Sequence, residues 1–153
     1  MAEHKGKIFG LQRGTNRKKI PEYREQLAQL GLGLEDKMQV KVGALSGGQR
    51  QALSLLMSVM TPVEFLILDE HTAALDPKTA DIIMQLTDRI VKEKKLTAIM
   101  VTHNLRYAAE YGDRLVMMHQ GKAVMDMKGE KKQKVQIDDI LGKFNEISIE
   151  CGN

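Results

Sequence analysis

The run Leu66-Ile67-Leu68-Asp69-Glu70 ends an aliphatic segment in two adjacent carboxylates. On a β-strand, successive side chains point to opposite faces, so the two acids are set up for different work. One can hold Mg²⁺, which prefers carboxylate and phosphate oxygens. The other can orient and deprotonate an attacking water. The C-terminal edge of a sheet is where α/β proteins place their ligands. The competing reading is a strand that closes in a solvated acidic turn. His103 ends the next aliphatic run, after Val101 and Thr102. Two parallel strands ending side by side would bring it near the acids. There a neutral imidazole can donate to a phosphate oxygen or to the water. Taken alone, a histidine at a strand end is more often structural.

A second stretch, Leu45-Ser46-Gly47-Gly48-Gln49, opens an apolar helical pattern with a hydroxyl and two residues lacking a β-carbon. Backbone amides at such a helix start can approach an anion closely, and the helix end carries partial positive charge. The Ser46 hydroxyl adds a donor. These features suit a terminal phosphate, although a flexible turn before a core helix explains them equally. Asp76 stands before Pro77, which makes it a helix N-cap by type, and a site role is open beside that one.

The elements that must carry these residues are legible from periodicity and breakers. Pro21 starts a helix with Tyr23, Leu27 and Leu30 on one face and Gly31 as its stop. Ser46 caps a helix to about Met60, ahead of Pro62. Glu64 to Asp69 and Leu96 to His103 read as strands buried on both faces of a parallel sheet. Between them, Asp76 and Pro77 open a long helix to about Lys94. A short helix, Asn104 to Tyr111, closes at Gly112. RLVMMH and KAVMDM flank Gln120-Gly121, a hairpin signal. KGEKKQK reads as a solvated charged loop, and IDDILGKFNEI as a last amphipathic helix. The residues before Ile20 are basic and aperiodic, and read as a loop or loosely held helix end. Alternating strands and helices define an α/β class.

Composition excludes several functions. With 153 residues the chain suits one domain's worth of core. Aromatics are 4% of the chain, too few for a reader of stacked bases. A net charge of +3 with scattered basic residues does not describe a phosphate-backbone binder, so no nucleic-acid partner is expected. The single cysteine, Cys151, allows no internal disulfide or thiolate metal site. The ten methionines sit inside apolar patterns as core filler. No apolar run reaches the length of a membrane span. Lysines 92, 94 and 95, and the basic run from Lys128 to Lys134, read as solvated ends rather than lipid contacts.

In order and spacing these pieces resemble the nucleotide-binding subunit of ATP-binding-cassette (ABC) transporters. Leu45-Ser46-Gly47-Gly48-Gln49 resembles the signature motif, and Phe65 to Asp69 with Glu70 the Walker B strand and catalytic glutamate. Ala74-Leu75-Asp76 resembles the D-loop, and His103 the switch histidine. The sequence departs from the pattern in two respects: it holds no G-x-x-x-x-G-K-[ST] phosphate loop, and Gln12, the one upstream candidate for the family's Q-loop, stands too close to Leu45. DEHTAALD, with His71 where many importers have proline, is similar to an amino-acid-type importer branch.

The resemblance implies a partial P-loop NTPase sheet with flanking helices, part of a helical subdomain and a C-terminal β-hairpin. Residues 1–60 would be the remnant of the helical subdomain, ending in the signature helix. Residues 61–153 would be the C-terminal part of the ATPase core. ATP and Mg²⁺ are the implied cofactors, with Asp69 on the metal, and Glu70 and His103 catalytic. Leu45, Ser46, Gly47, Gly48, Gln49 and Asp76 would serve nucleotide, the signature acting on the γ-phosphate held by a second nucleotide-binding subunit packed head to tail. An integral-membrane permease and, indirectly, a substrate-binding protein complete the set, placing the chain at the cytoplasmic face of the membrane. The expected function is ATP hydrolysis driving solute import once a P-loop-bearing partner or segment completes the site, the chain alone being inactive. The alternatives are a non-catalytic module supplying its signature in trans, and an ABC-type ATPase of DNA repair or translation. In the family a P-loop strand lies between the switch-histidine strand and the next. Its absence would leave a gap in the ladder and an unstable, repacked or self-associating chain.

Overall fold

The computed structural model describes residues 17–150 and resolves them into six helices and four strands. Readings that fall before Arg17, or on Cys151, lie outside the described residues. The chain divides into two compact units, Met1–Ile99 and Met100–Asn153.

In the first unit, α1 (Ile20–Ala28) follows a short 3₁₀ turn and buries Leu27. A chain of turns with Leu34 buried leads to a second 3₁₀ turn, Val42–Ala44, and then to α2 (Gly47–Val59). Helix α2 buries Ala52, Leu55 and Val59, an i, i+3, i+7 stripe, whereas Leu53, Leu56, Met57 and Met60, which also keep helical spacing, lie beside it and are not fully buried. Strand β1 (Phe65–Asp69) runs into α3 (Pro77–Glu93), which buries Ala80, Ile83, Met84, Leu86, Thr87 and Ile90. Ile83 is fully buried and Met84 nearly so, which puts the core of this unit along α3.

Helix α3 ends without a glycine. Leu96 N donates to Val91 O and Lys95 N to Lys92 O, while Lys95 takes φ +52°. That is the paired hydrogen bonding of a Schellman stop with lysine in the left-handed position. Thr97 N then donates to Glu64 O, starting β2 (Thr97–Val101), which pairs with β1.

The strands differ from expectation. Read as buried on both faces, β1 buries only Leu66 and Leu68, while Phe65 is 49% and Ile67 66% exposed. Ile99 and Val101 of β2 are also half exposed. An aliphatic run reports what a strand could bury, and covering its second face requires another layer of chain. Among the described residues the strands form two separate two-stranded ladders, β1-β2 and β3-β4.

In the second unit, α4 (Leu105–Glu110) precedes the hairpin of β3 (Arg114–His119) and β4 (Lys122–Lys128). Gln120 and Gly121 both have positive φ, the backbone a tight primed turn demands. The ladder is antiparallel, with an irregularity between Met117 and Met118. Arg114 grips Asp126 with two side-chain hydrogen bonds, of 2.9 and 2.7 Å. Helix α6 (Ile137–Glu150) closes the unit, with Ile140 and Ile147 packed against Met117 and Val135.

KGEKKQK is a correction. It contains a short helix, α5 (Glu130–Lys134), and Lys132 within it is only 2% exposed. Its Nζ donates to Ala109 O at 2.6 Å, at the carbonyl end of α4, where a cation is favoured. Burial pushes its pKa below the ordinary lysine value. Composition shows a lysine run as solvated; which lysine turns inward depends on a carbonyl 23 residues away.

Candidate functional site

The stretch Leu45–Gln49 is built as a helix start. Ser46 is the N-cap of α2, with its side-chain oxygen accepting from Gln49 N at 3.2 Å. Gln49 answers with Oε1 accepting from Ser46 N at 3.2 Å, so the two close a capping box. The Gln49 amide also donates to Leu32 O at 2.9 Å, and its Oε1 accepts from Lys37 Nζ at 3.1 Å. Leu45 is buried beneath this start. Gln49 is therefore anchored to scaffold on both ends of its amide, whereas Ser46 and Gly47 are exposed.

The two glycines are not equivalent. Gly48 is buried, and a β-carbon there would collide with Thr79 Cγ2 on the first turn of α3. At Gly47 a β-carbon would meet only the end of the Leu75 side chain, at 3.2 Å. The sequence suggests that both glycines leave room for a ligand. At Gly48 the space is occupied by α3, so close helix packing accounts for that residue.

This packing brings the start of α2 against the Asp76 turn. Asp76 caps α3 by accepting from Thr79 N at 3.1 Å. Hydrogen bonds from the Thr79 side chain and backbone hold its carboxyl below the usual carboxylate range. Leu75 and Thr79, which touch the glycines, thus flank the capping aspartate.

Asp69 ends β1 and is exposed, and Glu70 follows it, also exposed. Glu70 has φ +43°, a left-handed conformation that glutamate adopts only when its surroundings hold it. Ala73 N donates to Glu70 O at 2.9 Å, and Leu75 N to Thr72 O at 3.1 Å. These turns carry the chain from the acidic pair to Asp76. His71 reaches inward from the first of them, with Nε2 3.2 Å from Thr87 Oγ1. Sequence reading singled out His71 only as a variant position, because nothing local announces a partner 16 residues away.

In the second unit, His103 is exposed between β2 and α4. Its backbone is bracketed by two short bonds: Asn104 N donates to Thr102 Oγ1 at 3.0 Å, and Asn104 Oδ1 caps α4 by accepting from Tyr107 N at 3.2 Å. Tyr107 is buried, which ties the cap to the core of this unit.

The first unit thus presents an exposed helix start with a capped serine and an exposed acidic strand end, and the second an exposed histidine before a capped helix. The family profile described as ABC transporter matches residues 4–73. The tyrosine transport ATP-binding protein of Clostridioides difficile is 47% identical over 144 residues, which cover 94% of this chain and 57% of that protein. A phosphonates import ATP-binding protein of a Ruegeria species is 36% identical over 109 residues, covering 71% of this chain and 42% of the relative. Among solved structures, an ATP-binding cassette of an ABC transporter in its ADP conformation superposes with a TM-score of 0.70 over 93% of this chain and 54% of that one, at 24% identity. A dimeric, post-hydrolysis cassette bound to ADP and Pi matches with a TM-score of 0.59 at 30% identity, over 80% of this chain and 51% of that one. The chain belongs to the ATP-binding subunits of ABC transporters. Its fold is the corresponding part of the ABC ATPase fold, and it spans about half the length of these relatives.

Proposed function

We propose that this chain provides the signature and hydrolytic residues of an ATPase subunit that drives solute import, acting when a P-loop-bearing segment or partner completes the nucleotide cradle. The observation that carries this reading is the exposed start of α2, seated on the turn that leads from Glu70 to Asp76. A helix start there leaves its first amides without intrahelical acceptors. The Ser46 hydroxyl oxygen accepts from Gln49 N, which leaves the hydroxyl still able to donate.

The donor set suits a magnesium nucleotide. Mg²⁺ is usually held by one or two carboxylates, with phosphate and water making up the rest. Asp69 offers one exposed carboxylate, and no group of three or more His, Cys, Asp or Glu among the described residues forms a protein cage for a metal. When bound, magnesium ATP supplies a polarised γ-phosphoryl group. Asp69 would ligate the ion, Glu70 would take the proton of the attacking water, and His103 would donate to the γ-phosphate or the water. Ser46 and the Gly47 amide would meet the γ-phosphate of nucleotide held by a second subunit. Leu45, Gly48 and Gln49 would support that surface from below, and Asp76 would shape the turn beside it.

The proposed partners are a second nucleotide-binding subunit head to tail, a membrane permease and, through it, a substrate-binding protein. No helix among the described residues is long and apolar enough to cross a membrane, so contact with the bilayer would run through the permease at its cytoplasmic face. The tyrosine-transport name of one relative supports an amino-acid-type solute.

The test is reconstitution with a P-loop-bearing segment or subunit. ATP turnover should appear, and Glu70→Gln should abolish it; full turnover in that variant would remove Glu70 as the base. In a mixed dimer with an intact subunit, loss of activity on Ser46→Arg but not on Glu70→Gln would instead show a module that serves only in trans.

A further inference from the structure

We propose that His71 is a positioning residue: its imidazole, locked with the proton on Nε2, fastens the strained turn at Glu70 to α3 through the Thr87 hydroxyl. The inference deepens the reading of Glu70 as the base and rests on it.

The direction of the bond follows from proton counting. Thr87 Oγ1 lies 2.7 Å from Ile83 O, and a carbonyl can only accept, so the hydroxyl's one proton goes there. The same oxygen lies 3.2 Å from His71 Nε2. With its proton committed, Thr87 can only accept from the ring, so Nε2 carries hydrogen and Nδ1 is bare in the neutral imidazole.

Both ends of this relay are fixed. Thr87 is 4% exposed, and its neighbours Ile83, Leu86 and Ile90 are core residues, so the anchor cannot drift. At the other end, His71 is the residue immediately after Glu70, whose φ of +43° stores strain that the surroundings must hold. The Ala73 N to Glu70 O bond closes the turn locally, and His71 ties that turn to the helix. Without the tie, Glu70 can relax toward ordinary backbone and re-aim its carboxylate.

The test uses the full chain with ¹⁵N-labelled histidine at mildly alkaline pH. The expected spectrum shows a one-bond proton coupling at His71 Nε2 and none at Nδ1; the opposite tautomer would overturn the proposal without any variant being needed. Thr87→Val should free the ring to mix tautomers and raise amide exchange at Ala73 by about tenfold, the scale of one lost hydrogen bond. Thr87→Ser, which keeps the hydroxyl, should restore both. Exchange at Ala73 unchanged in Thr87→Val and His71→Phe would also overturn it. Neither readout passes through turnover, so failure of this bond and failure of Glu70 as the base appear in different experiments.

Discussion

Gly48 of α2 lies directly against the Thr79 methyl of α3, with no room for a β-carbon between them. The contact joins the glycine-opened helix start to the residue that completes the Asp76 cap. The start of α2 and the capping turn of α3 therefore form one piece of scaffold.

Gly48→Ala should destabilise the first unit by roughly 1–3 kcal/mol through overpacking, more than alanine's helix preference returns. Thr79→Ser removes the obstructing methyl while keeping the hydroxyl near Asp76. The double variant should regain most of the loss in urea melts. Gly47→Ala, facing only the mobile end of Leu75, should cost clearly less.

Ser46→Ala opens the reciprocal cap with Gln49 and should cost about 1 kcal/mol. Ser46→Asp keeps a capping oxygen and should hold stability near that of the parent. It also brings a negative charge to the proposed phosphate face. Nucleotide-dependent association with an intact subunit should thus fail in Ser46→Asp even though the helix stays capped, as circular dichroism and sedimentation would show together.

Lys132 sets a pH dependence with a definite sign. Its folded pKa lies below the ordinary value, so between the two the unfolded chain holds the proton more firmly. Stability from this group is therefore lowest below the folded pKa and rises with pH until the ordinary value near 10.4 is passed. Paired melts should show the parent gaining on Lys132→Met as pH climbs from 7 toward 10.5. A difference that stays flat over that range would show that burial of Lys132 leaves its charge unperturbed.

Phe65 and Ile67 expose apolar surface on β1, as a strand with one uncovered face must. The isolated chain should self-associate with increasing concentration, and Ile67→Thr should reduce this in sedimentation velocity. A single sharp urea transition, identical across concentrations, would count against the idea.

Ile83→Ala should cost about 2–5 kcal/mol, because Ile83 is fully enclosed in the core along α3 and Thr87 on the same helix anchors His71. Loss of the Nε2-protonated tautomer in this variant would track loss of helix packing.

Much of this protein is determined locally. Asp76-Pro77 starts α3, Ser46 caps α2, and Gln120-Gly121 turns the hairpin, because caps and turns depend on residue chemistry within a few positions. The order of Leu45–Gln49, Asp69-Glu70, Asp76 and His103 was legible for the same reason: motif spacing is a property of the chain. Other features exist only in three dimensions. Whether Gly48 leaves space for a ligand or for Thr79, which lysine of KGEKKQK is buried, and where the His71 proton sits each depend on a partner far away in sequence. Aliphatic runs disclosed strands but not their half-exposed faces, since burial needs a covering layer that a strand's own residues do not encode.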